Sequence, residues 1–306
     1  MNRVWVSGDA VVDLIPDGDE RYLKCPGGAP ANVAVAAARL GSDCAFFGRV
    51  GNDPLGRFMQ QTLNREQVDT DFLKLDDEQR TSTVIVDLDD SGERSFTFMV
   101  KPSADQFMES GDIPQFAQNQ WLHLCSIALA NQPSRSASLK AMDEIKAAGG
   151  YTSFDPNLRE EVWGNPSEII PVVMQAVAKA DVVKFSDDEL LFLTQTESLE
   201  QGIDALKQLN IPLILITQGV KGAIVIFRGE QQRITGKAVK PVDTTGAGDA
   251  FVGGLLARLT QSDNWPEADV IESAVHWANG CGALATTQKG AMTALPTQQA
   301  LADFIS

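Results

Sequence analysis

Residues 242–256 read VDTTGAGDAFVGGLL, in which a glycine-rich turn leads directly into a run of apolar residues. From Phe251 onward these apolar residues recur at helical spacing, so a helix is predicted to begin at or just after Gly246. Glycines allow backbone N–H groups to approach a ligand closely, and a helix N-terminus carries unsatisfied donors and a partial positive charge. The turn therefore predicts a seat for an anion, with Asp249 facing the same ligand.

A purely structural interpretation of this turn is also available. An aspartate in the first turn of a helix complements the helix dipole, and glycines before a helix often only make a turn. Here, however, Gly246 and Gly248 flank a single small residue, Ala247, and directly precede Asp249. That order places a proton acceptor beside a phosphate seat, which is the combination that phosphoryl transfer requires.

Two better-known phosphate motifs do not fit the sequence. It contains no GxxxxGK[ST] segment, so a P-loop enzyme is excluded. In the glycine-rich turn, Phe251 stands where the dinucleotide fingerprint requires its third glycine, and the turn lies late in the chain rather than in a first βαβ unit. A nicotinamide-dependent dehydrogenase is therefore disfavoured.

Short apolar runs alternate with helical patterns along most of the chain. This alternation predicts an α/β fold with a mostly parallel central sheet flanked by helices on both faces. Asp53 is placed to cap a helix whose first position is Pro54. The predicted strands are 4–7, 45–50, 121–126, 151–155, 182–185 and 213–217, and the predicted helices are 30–40, 54–67, 134–148, 168–178 and 187–195.

The segment Thr81–Val100 breaks the alternation. It has the period-two pattern of a β-hairpin, with a turn predicted at residues 89–92. The pattern alone leaves two alternatives open, an extension of the sheet edge or a small lid that closes over a site. No internal repeat or Pro/Ser-rich linker divides the chain, so residues 1–306 are predicted to form a single domain.

Composition and charge exclude several classes of partner. Among 306 residues, 41 are Asp or Glu and 25 are Lys or Arg, which gives a formal charge of -16. Such a charge repels nucleic acid and anionic lipid at long range. The four cysteines are scattered without metal-site or disulfide spacing, and no signal peptide or long apolar run is evident. We therefore expect a cytoplasmic protein with no nucleic-acid or membrane partner.

A second polar cluster follows the first predicted strand. Asp9 and Asp13 precede the segment GGAPAN, which ends at Asn32 and leads into a helix of small residues. Carboxylates and an amide suit sugar hydroxyls, because they exchange hydrogen bonds with a polyol. Turn chemistry for the aspartates and a helix cap would explain the same residues equally well.

Two further loops are placed to bind a nucleotide. Residues 217–222 follow an apolar strand and contain two glycines, and residues 155–159 end another strand and carry Arg159. Ligands of α/β proteins bind at the carboxyl ends of strands, and a guanidinium suits bidentate contact with phosphate. The chain has only two histidines, and His123 lies within a predicted buried strand, so neither is expected to be catalytic.

Taken together, these motifs resemble the ribokinase-like (PfkB) family of sugar kinases over essentially the whole chain. The segments DTTGAGDAF (243–251) and GGAPANVA (27–34) resemble the two signatures of the family, in the right order and separation. The segments ERSFTF (93–98), FDPNLR (154–159) and KGAMTALP (289–296) look most like bacterial fructokinases. The resemblance implies a ribokinase-like fold with a small β lid formed by roughly residues 13–24 and 81–104, and a homodimer that forms through the lids.

The resemblance also implies a role for each matched position. Asp249 would be the catalytic base, the amides of Gly246, Ala247 and Gly248 would stabilise the transferred phosphoryl group, and Arg159 would reach towards it. The sugar would be held by Asp9, Asp13, Gly27, Gly28, Asn32, Phe98, Arg159 and Asp249. The nucleotide site would comprise Asn157, Lys184, Glu189, Thr217, Gly219, Lys221, Gly222 and Asn279. A monovalent cation, expected to be K⁺, would lie near Asp243, Thr245, Ala285, Gln288 and Gly290, and Mg²⁺ would arrive with ATP.

The implied reaction is transfer of the γ-phosphoryl group of MgATP to the 6-hydroxyl of D-fructose. An aminoimidazole riboside kinase, or a kinase of another furanose, would keep the same catalytic residues and change only the sugar pocket. A sugar-binding sensor without catalysis is a third alternative, although the intact Asp249 and glycine pair argue against it. One departure from the family pattern is Ser186, which stands where the family usually has asparagine in an Asn-x-x-Glu element.

Overall fold

The computed structural model describes residues 2–88 and 94–306. Its strands are β1 (Val4–Ser7), β2 (Val11–Pro16), β3 (Tyr22–Gly27), β4 (Cys44–Gly51), β5 (Leu73–Asp76), β6 (Thr83–Leu88), β7 (Arg94–Phe98), β8 (Trp121–Cys125), β9 (Tyr151–Asp155), β10 (Val182–Ser186), β11 (Leu213–Thr217), β12 (Ala223–Phe227) and β13 (Glu230–Ile234). Its α-helices are α1 (Ala29–Arg39), α2 (Pro54–Arg65), α3 (Ser134–Ala147), α4 (Ile169–Val177), α5 (Asp187–Thr194), α6 (Leu199–Leu206), α7 (Ala247–Leu259), α8 (Ala268–Ala285) and α9 (Gln298–Ile305).

The large sheet has the order β13-β12-β11-β10-β9-β8-β1-β4-β5. Every pairing from β11 to β5 is parallel, and β12 and β13 add an antiparallel edge. The predicted mostly parallel sheet is therefore confirmed. The direction in which successive strands are added to the sheet reverses at β1. The chain first adds β4 and β5 on one side of β1 and then adds β8 on its other side. The carboxyl ends of β1 and β8 flank this switch point, where open α/β sheets bind their ligands.

Apolar layers cover the sheet on both faces. Val4 and Val6 pack into one core with α1, α7 and α8, whereas Trp5 points to the opposite core with α3, α4 and α5. A strand that is buried on both faces is a continuous apolar run in the sequence, and such runs predicted these strands. Within the described ranges, no helix has both the length and the apolar character needed to cross a bilayer.

The predicted hairpin belongs to a separate small sheet of order β3-β2-β6-β7. Strands β6 and β7 pair antiparallel, with Val84 opposite Phe98 and Val86 opposite Phe96. Because the hairpin pairs through β6 with β2, and neither of its strands pairs with the large sheet, the alternative of an extended sheet edge is wrong. The turn predicted at residues 89–92 lies outside the described residues.

Local capping explains where several helices begin. Asp53 Oδ1 accepts hydrogen bonds from the amides of Leu55 and Gly56, as the sequence predicted for the start of α2. The sequence patterns did not predict β2, β3, β5, β12, β13, α6, α8 or α9. In β3 the sequence YLKCPG has no apolar alternation and its first three residues are exposed, so it lacks a local strand signal.

Candidate active site

The seat for an anion lies at the N-terminus of α7. Gly246 has φ of 79°, and a side chain there would approach the backbone of Ala291 to 3.0 Å, so only glycine fits this position. No side chain caps the first turn of α7. The ammonium of Lys184 lies 3.3 Å from where a Cβ of Gly248 would stand. The amide of Ala247 donates to the Thr244 carbonyl at 3.2 Å, so the amides further along this turn and the ammonium of Lys184 are the donors that suit a phosphoryl group.

Asp249 is buried in the first turn of α7 and is held from two sides. Its Oδ2 accepts a hydrogen bond of 2.8 Å from Asn32 Nδ2, and its Oδ1 lies 3.4 Å from Asn157 Nδ2. Burial raises the pKa of Asp249 above its ordinary value, while the hydrogen bond from Asn32 and the charges of Lys184 and Arg159 oppose the rise. The result is an oriented carboxylate with little solvation, which is the form that a general base requires.

The two asparagines come from distant parts of the chain. Asn32 lies in α1, and Asn157 lies just after β9 with φ of 40°. Asn32 was predicted to bind sugar and Asn157 to bind nucleotide, and the contact that both make with Asp249 was not predicted. Each amide donates to one carboxylate oxygen, so together they orient the carboxylate in the cleft.

Lys184 is held by a buried ion pair. Its Nζ lies 3.0 Å from Asp155 Oδ2 and 3.2 Å from Asp155 Oδ1, and both side chains are buried. Burial lowers the pKa of Lys184, but the charges of Asp155 and Glu189 more than offset this, so the pKa is raised overall. The ammonium is therefore charged and fixed in position beneath Gly248. Asp155 was not among the predicted site residues, although it ends β9 directly before a proline.

Glu189 and Ser186 form a capping box at the start of α5. The Glu189 carboxylate accepts hydrogen bonds from the amides of Ser186 and Leu158, at 2.8 and 3.0 Å. Ser186 Oγ accepts one from the amide of Glu189 at 3.1 Å. Serine thus caps the helix where the family usually has asparagine, and Glu189 ties α5 to the loop that carries Asn157 and Arg159.

The N-terminal cluster lies where β1 and β2 meet α1. Asp9 is buried directly after β1, and Asp13 points outward from β2 towards Gly27. A side chain on Gly27 would collide with the Asp13 carboxylate, and one on Gly28 would collide with the backbone oxygen of Asp9. The two glycines are required because these segments approach so closely, and the close approach brings Asp9 and Asp13 near the start of α1.

The remaining predicted sugar and nucleotide residues lie on β7, in the loop after β9, at the end of β11 and on α8. Phe98 is half-buried on β7, and the Arg159 side chain is exposed, with its guanidinium 2.7 Å from the Leu158 carbonyl. Thr217 ends β11 and leads into an exposed single turn at Gly219–Lys221, which Gly222 closes with φ of 82°. Asn279 donates to the Ile234 carbonyl and lines a recess of about 690 Å³.

The residues predicted to hold a monovalent cation lie in the loop before α7, at the last residue of α8 and in the loop that follows it, and Asp243 ties the two loops together. Asp243 Oδ1 accepts hydrogen bonds from the amide and hydroxyl of Thr245, and its Oδ2 accepts one from the amide of Gly290. Because the carboxylate is occupied in this way, the backbone carbonyls of the loops are left as ligands. The described residues contain no cluster of three His, Cys, Asp or Glu side chains for a metal. These donors suit a monovalent cation better than a dedicated divalent site.

Comparison with known proteins also indicates a carbohydrate kinase. The family model described as pfkB family carbohydrate kinase matches residues 1–298. The fructokinase of Vibrio alginolyticus is 65% identical over 305 residues, which cover 100% of this chain and 99% of that protein.

Solved structures are similar over the whole chain. The fructokinase of Vibrio cholerae O395 with fructose, ADP and calcium ion bound has a TM-score of 0.97 at 66% identity, covering 100% of this chain and 99% of that one. A double mutant of it, with fructose, ADP and potassium ion bound, has the same TM-score at 65% identity and the same coverage. Aminoimidazole riboside kinase from Salmonella enterica, complexed with aminoimidazole riboside and an ATP analogue, has a TM-score of 0.93 at 42% identity, covering 100% of both chains. The chain therefore belongs to the pfkB family of carbohydrate kinases.

Proposed function

We propose that this protein is a fructokinase, which transfers the γ-phosphoryl group of MgATP to the 6-hydroxyl of D-fructose with Asp249 as the general base. The observation that carries the proposal is the Asp249 carboxylate, oriented by Asn32 and Asn157 beside the uncapped N-terminus of α7. Identities of 65–66% to fructokinases over the whole chain, against 42% to the riboside kinase, support fructose as the substrate.

In this mechanism the sugar lies between the small sheet and Asp249. Asp9, Asp13 and Asn32 accept or donate hydrogen bonds to its hydroxyls, Gly27 and Gly28 admit it close to the backbone, and Phe98 of the small sheet covers it as a lid. Asp249 removes the proton of the attacking hydroxyl. The amides of Gly246, Ala247 and Gly248, together with Lys184 and Arg159, stabilise the charge on the transferred group.

The nucleotide would run from the anion seat towards β11. Lys184 approaches its phosphates, and Asn157 and Glu189 organise the loop beside them. The ribose and base are covered by the turn that contains Thr217, Gly219, Lys221 and Gly222, and Asn279 lies nearby. Mg²⁺ enters with ATP and neutralises phosphate charge. A monovalent cation, K⁺ in the cell, is held by backbone oxygens of the loops that carry Asp243, Thr245, Ala285, Gln288 and Gly290. The reduced thiols of Cys44, Cys125 and Cys281 and the use of ATP support a cytoplasmic location.

A sugar panel tests the proposed function. ADP release by the purified protein with MgATP and potassium is measured against concentration for fructose, ribose, glucose, mannose and aminoimidazole riboside. We expect fructose to give the highest kcat/KM. A lead by the riboside would keep the mechanism and change the substrate, and absence of turnover with every sugar would contradict the kinase assignment.

We also propose that two copies of the chain associate through their small sheets. Tyr22, Leu23, Phe96 and Met99 are apolar side chains exposed on this sheet or at its edge, with exposed fractions between 43% and 58%. These residues lie on the two edge strands of the small sheet or directly after one of them, and exposed apolar side chains are typical of an interaction surface. The partner is a second copy, since the same sheet covers the sugar and each lid would then be supported by the other.

Charge on this surface is expected to separate the dimer. In the double variant Leu23→Lys and Phe96→Lys, sedimentation equilibrium should report the mass of one chain, whereas the wild type should report two. Val220→Lys is the control, because Val220 is 77% exposed but lies outside the small sheet, and it should remain dimeric. A monomeric wild type would refute the association.

A further inference from the structure

Two buried oxygens without partners flank the switch point of the large sheet. The register pairs Ser7 of β1 with Leu124 of β8, so Asp9 and Ser126 each stand two residues beyond a paired position, at the carboxyl ends of neighbouring strands. Both residues are buried. Asp9 Oδ1 and Ser126 Oγ have no hydrogen-bond partner within the described part of the chain.

A third polar side chain approaches from the segment that follows the small sheet. Asp105 lies in the 3-10 turn Ala104–Phe107, which packs against the turn Ser126–Leu129. Asp105 is buried, and its Oδ1 accepts a hydrogen bond of 2.5 Å from Ser103 Oγ. The next residue, Gln106, is bonded through its side chain to Asn131, so the turn is fixed in place. The sequence analysis assigned no role to Asp105 or Ser126.

The electrostatics show that Asp9 and Asp105 are neighbours. Burial raises the pKa of Asp9 to about 7, with the charge of Asp105 as the next largest cause; Asp249 also raises it, and Arg159 opposes both. Burial raises the pKa of Asp105 to about 6, against the hydrogen bond from Ser103. The charges of Asp105 and Asp249 both act on Asp9, so all three carboxylates lie in the same region of the protein. Near neutral pH the pair offers both a proton donor and acceptors, as a sugar hydroxyl requires.

We propose that Asp105 and Ser126, together with Asp9, form a second hydroxyl-binding subsite that takes the anomeric end of the furanose while Asp249 takes the hydroxyl to be phosphorylated. This inference rests on the proposed function and deepens it, because such a subsite selects a ketose by its hydroxyls at carbons 1 and 2. A buried hydroxyl without a partner destabilises the unliganded protein, and a bound sugar hydroxyl removes that destabilisation. A site built to bind a hydroxyl strongly rejects an analogue that lacks it.

The test compares Ser126→Ala and Asp105→Asn with the wild type on three sugars. These are D-fructose, 2,5-anhydro-D-mannitol, which lacks the anomeric hydroxyl, and 1-deoxy-D-fructose, which lacks the hydroxyl at carbon 1. We expect Ser126→Ala to raise KM for fructose by about three- to tenfold and Asp105→Asn to raise it by about tenfold or more, with kcat changed far less. For at least one of the two analogues the rise should disappear.

The melting temperature measured without sugar distinguishes a sugar-binding role of Ser126 from a structural one. Ser126→Ala removes an unpartnered hydroxyl, so its melting temperature should be unchanged or higher. The matched control is Ser134→Ala, since buried Ser134 donates to the Ala128 carbonyl at 2.9 Å. That variant should melt lower and keep the wild-type KM.

Three results would overturn the subsite. The first is a wild-type KM for fructose in Ser126→Ala, which decides the matter even if Asp105→Asn fails to fold. The second is an equal rise in KM for all three sugars. In either case, fructose turnover by the wild type leaves the proposed function standing. The third is the absence of wild-type turnover of fructose, which would overturn the proposed function and the subsite together.

Discussion

Replacement of Asp249 by alanine is expected to lower kcat by a factor of about 10²–10⁴, the contribution of a positioned general base. The variant should fold and bind ADP, because the anion seat is formed by backbone amides of α7 and by Lys184. Steady-state ADP release with saturating fructose measures the first effect, and calorimetric titration with MgADP measures the second. Near-normal turnover by the variant would refute the role of Asp249.

The matched control for this variant is Glu200→Ala. Glu200 is an exposed carboxylate in the first turn of α6, where it complements a helix dipole and lies outside the proposed site. If Asp249 only stabilised α7 through its dipole, the two variants would show comparably small losses. We expect full activity from Glu200→Ala, which separates the catalytic interpretation from the structural one.

The same carboxylate sets the acid limb of the pH profile. Asp249 must be ionised to accept a proton, and its burial raises its pKa above the ordinary value. The kcat/KM should therefore fall as the pH is lowered, at a higher pH than for an ordinary aspartate. Asn32→Ala removes a hydrogen bond that lowers the pKa of Asp249. In this variant, the fall of kcat/KM on the acid side should therefore move further towards neutral pH.

Replacement of Lys184 by methionine is expected to have the largest effect on stability. Methionine leaves the buried Asp155 carboxylate without its cation, and breaking a buried ion pair in this way costs about 3–5 kcal/mol. Equilibrium unfolding in urea measures the loss. Turnover should also collapse, because the ammonium beneath Gly248 is removed from the phosphoryl seat.

A double variant distinguishes the two effects. Adding Asp155→Asn to Lys184→Met removes the uncompensated charge, so most of the free energy of unfolding should return while turnover stays low. The control is Lys140→Met, whose exposed pair with Glu144 should contribute at most about 1 kcal/mol. Recovery of both stability and turnover in the double variant would show that Lys184 does not act on phosphate.

The strands and helices with strong local patterns were predicted to within a residue or two. Strands β1, β9 and β11 begin and end where the apolar runs do, and α7 begins at Ala247, one residue after the predicted Gly246. These elements were readable because a strand covered on both faces is continuously apolar, and a helix beside a ligand needs glycines before it. Weakly patterned strands such as β3 were missed because their partners, and not their own residues, determine them.

Contacts between distant segments account for what the sequence left open in the site. Asn157 and Asp249 are 92 positions apart, yet their side chains lie 3.4 Å apart. Similarly, Asp105 follows the small sheet, and its turn packs against the turn Ser126–Leu129 after β8. Periodicity describes the neighbours of a residue along its own strand or helix, and it carries no information about such pairs.

By itself the sequence determined the alternation of strands and helices and the glycine-rich turn from which α7 begins. Its motifs also predicted the family to which the chain belongs. Only the tertiary structure decided that the hairpin joins a separate sheet, that Asn32 and Asn157 orient Asp249, and that Asp155 fixes Lys184. The reason is physical: local backbone preferences and apolar periods act over a few residues, whereas a parallel sheet brings together strand ends that are far apart in the chain.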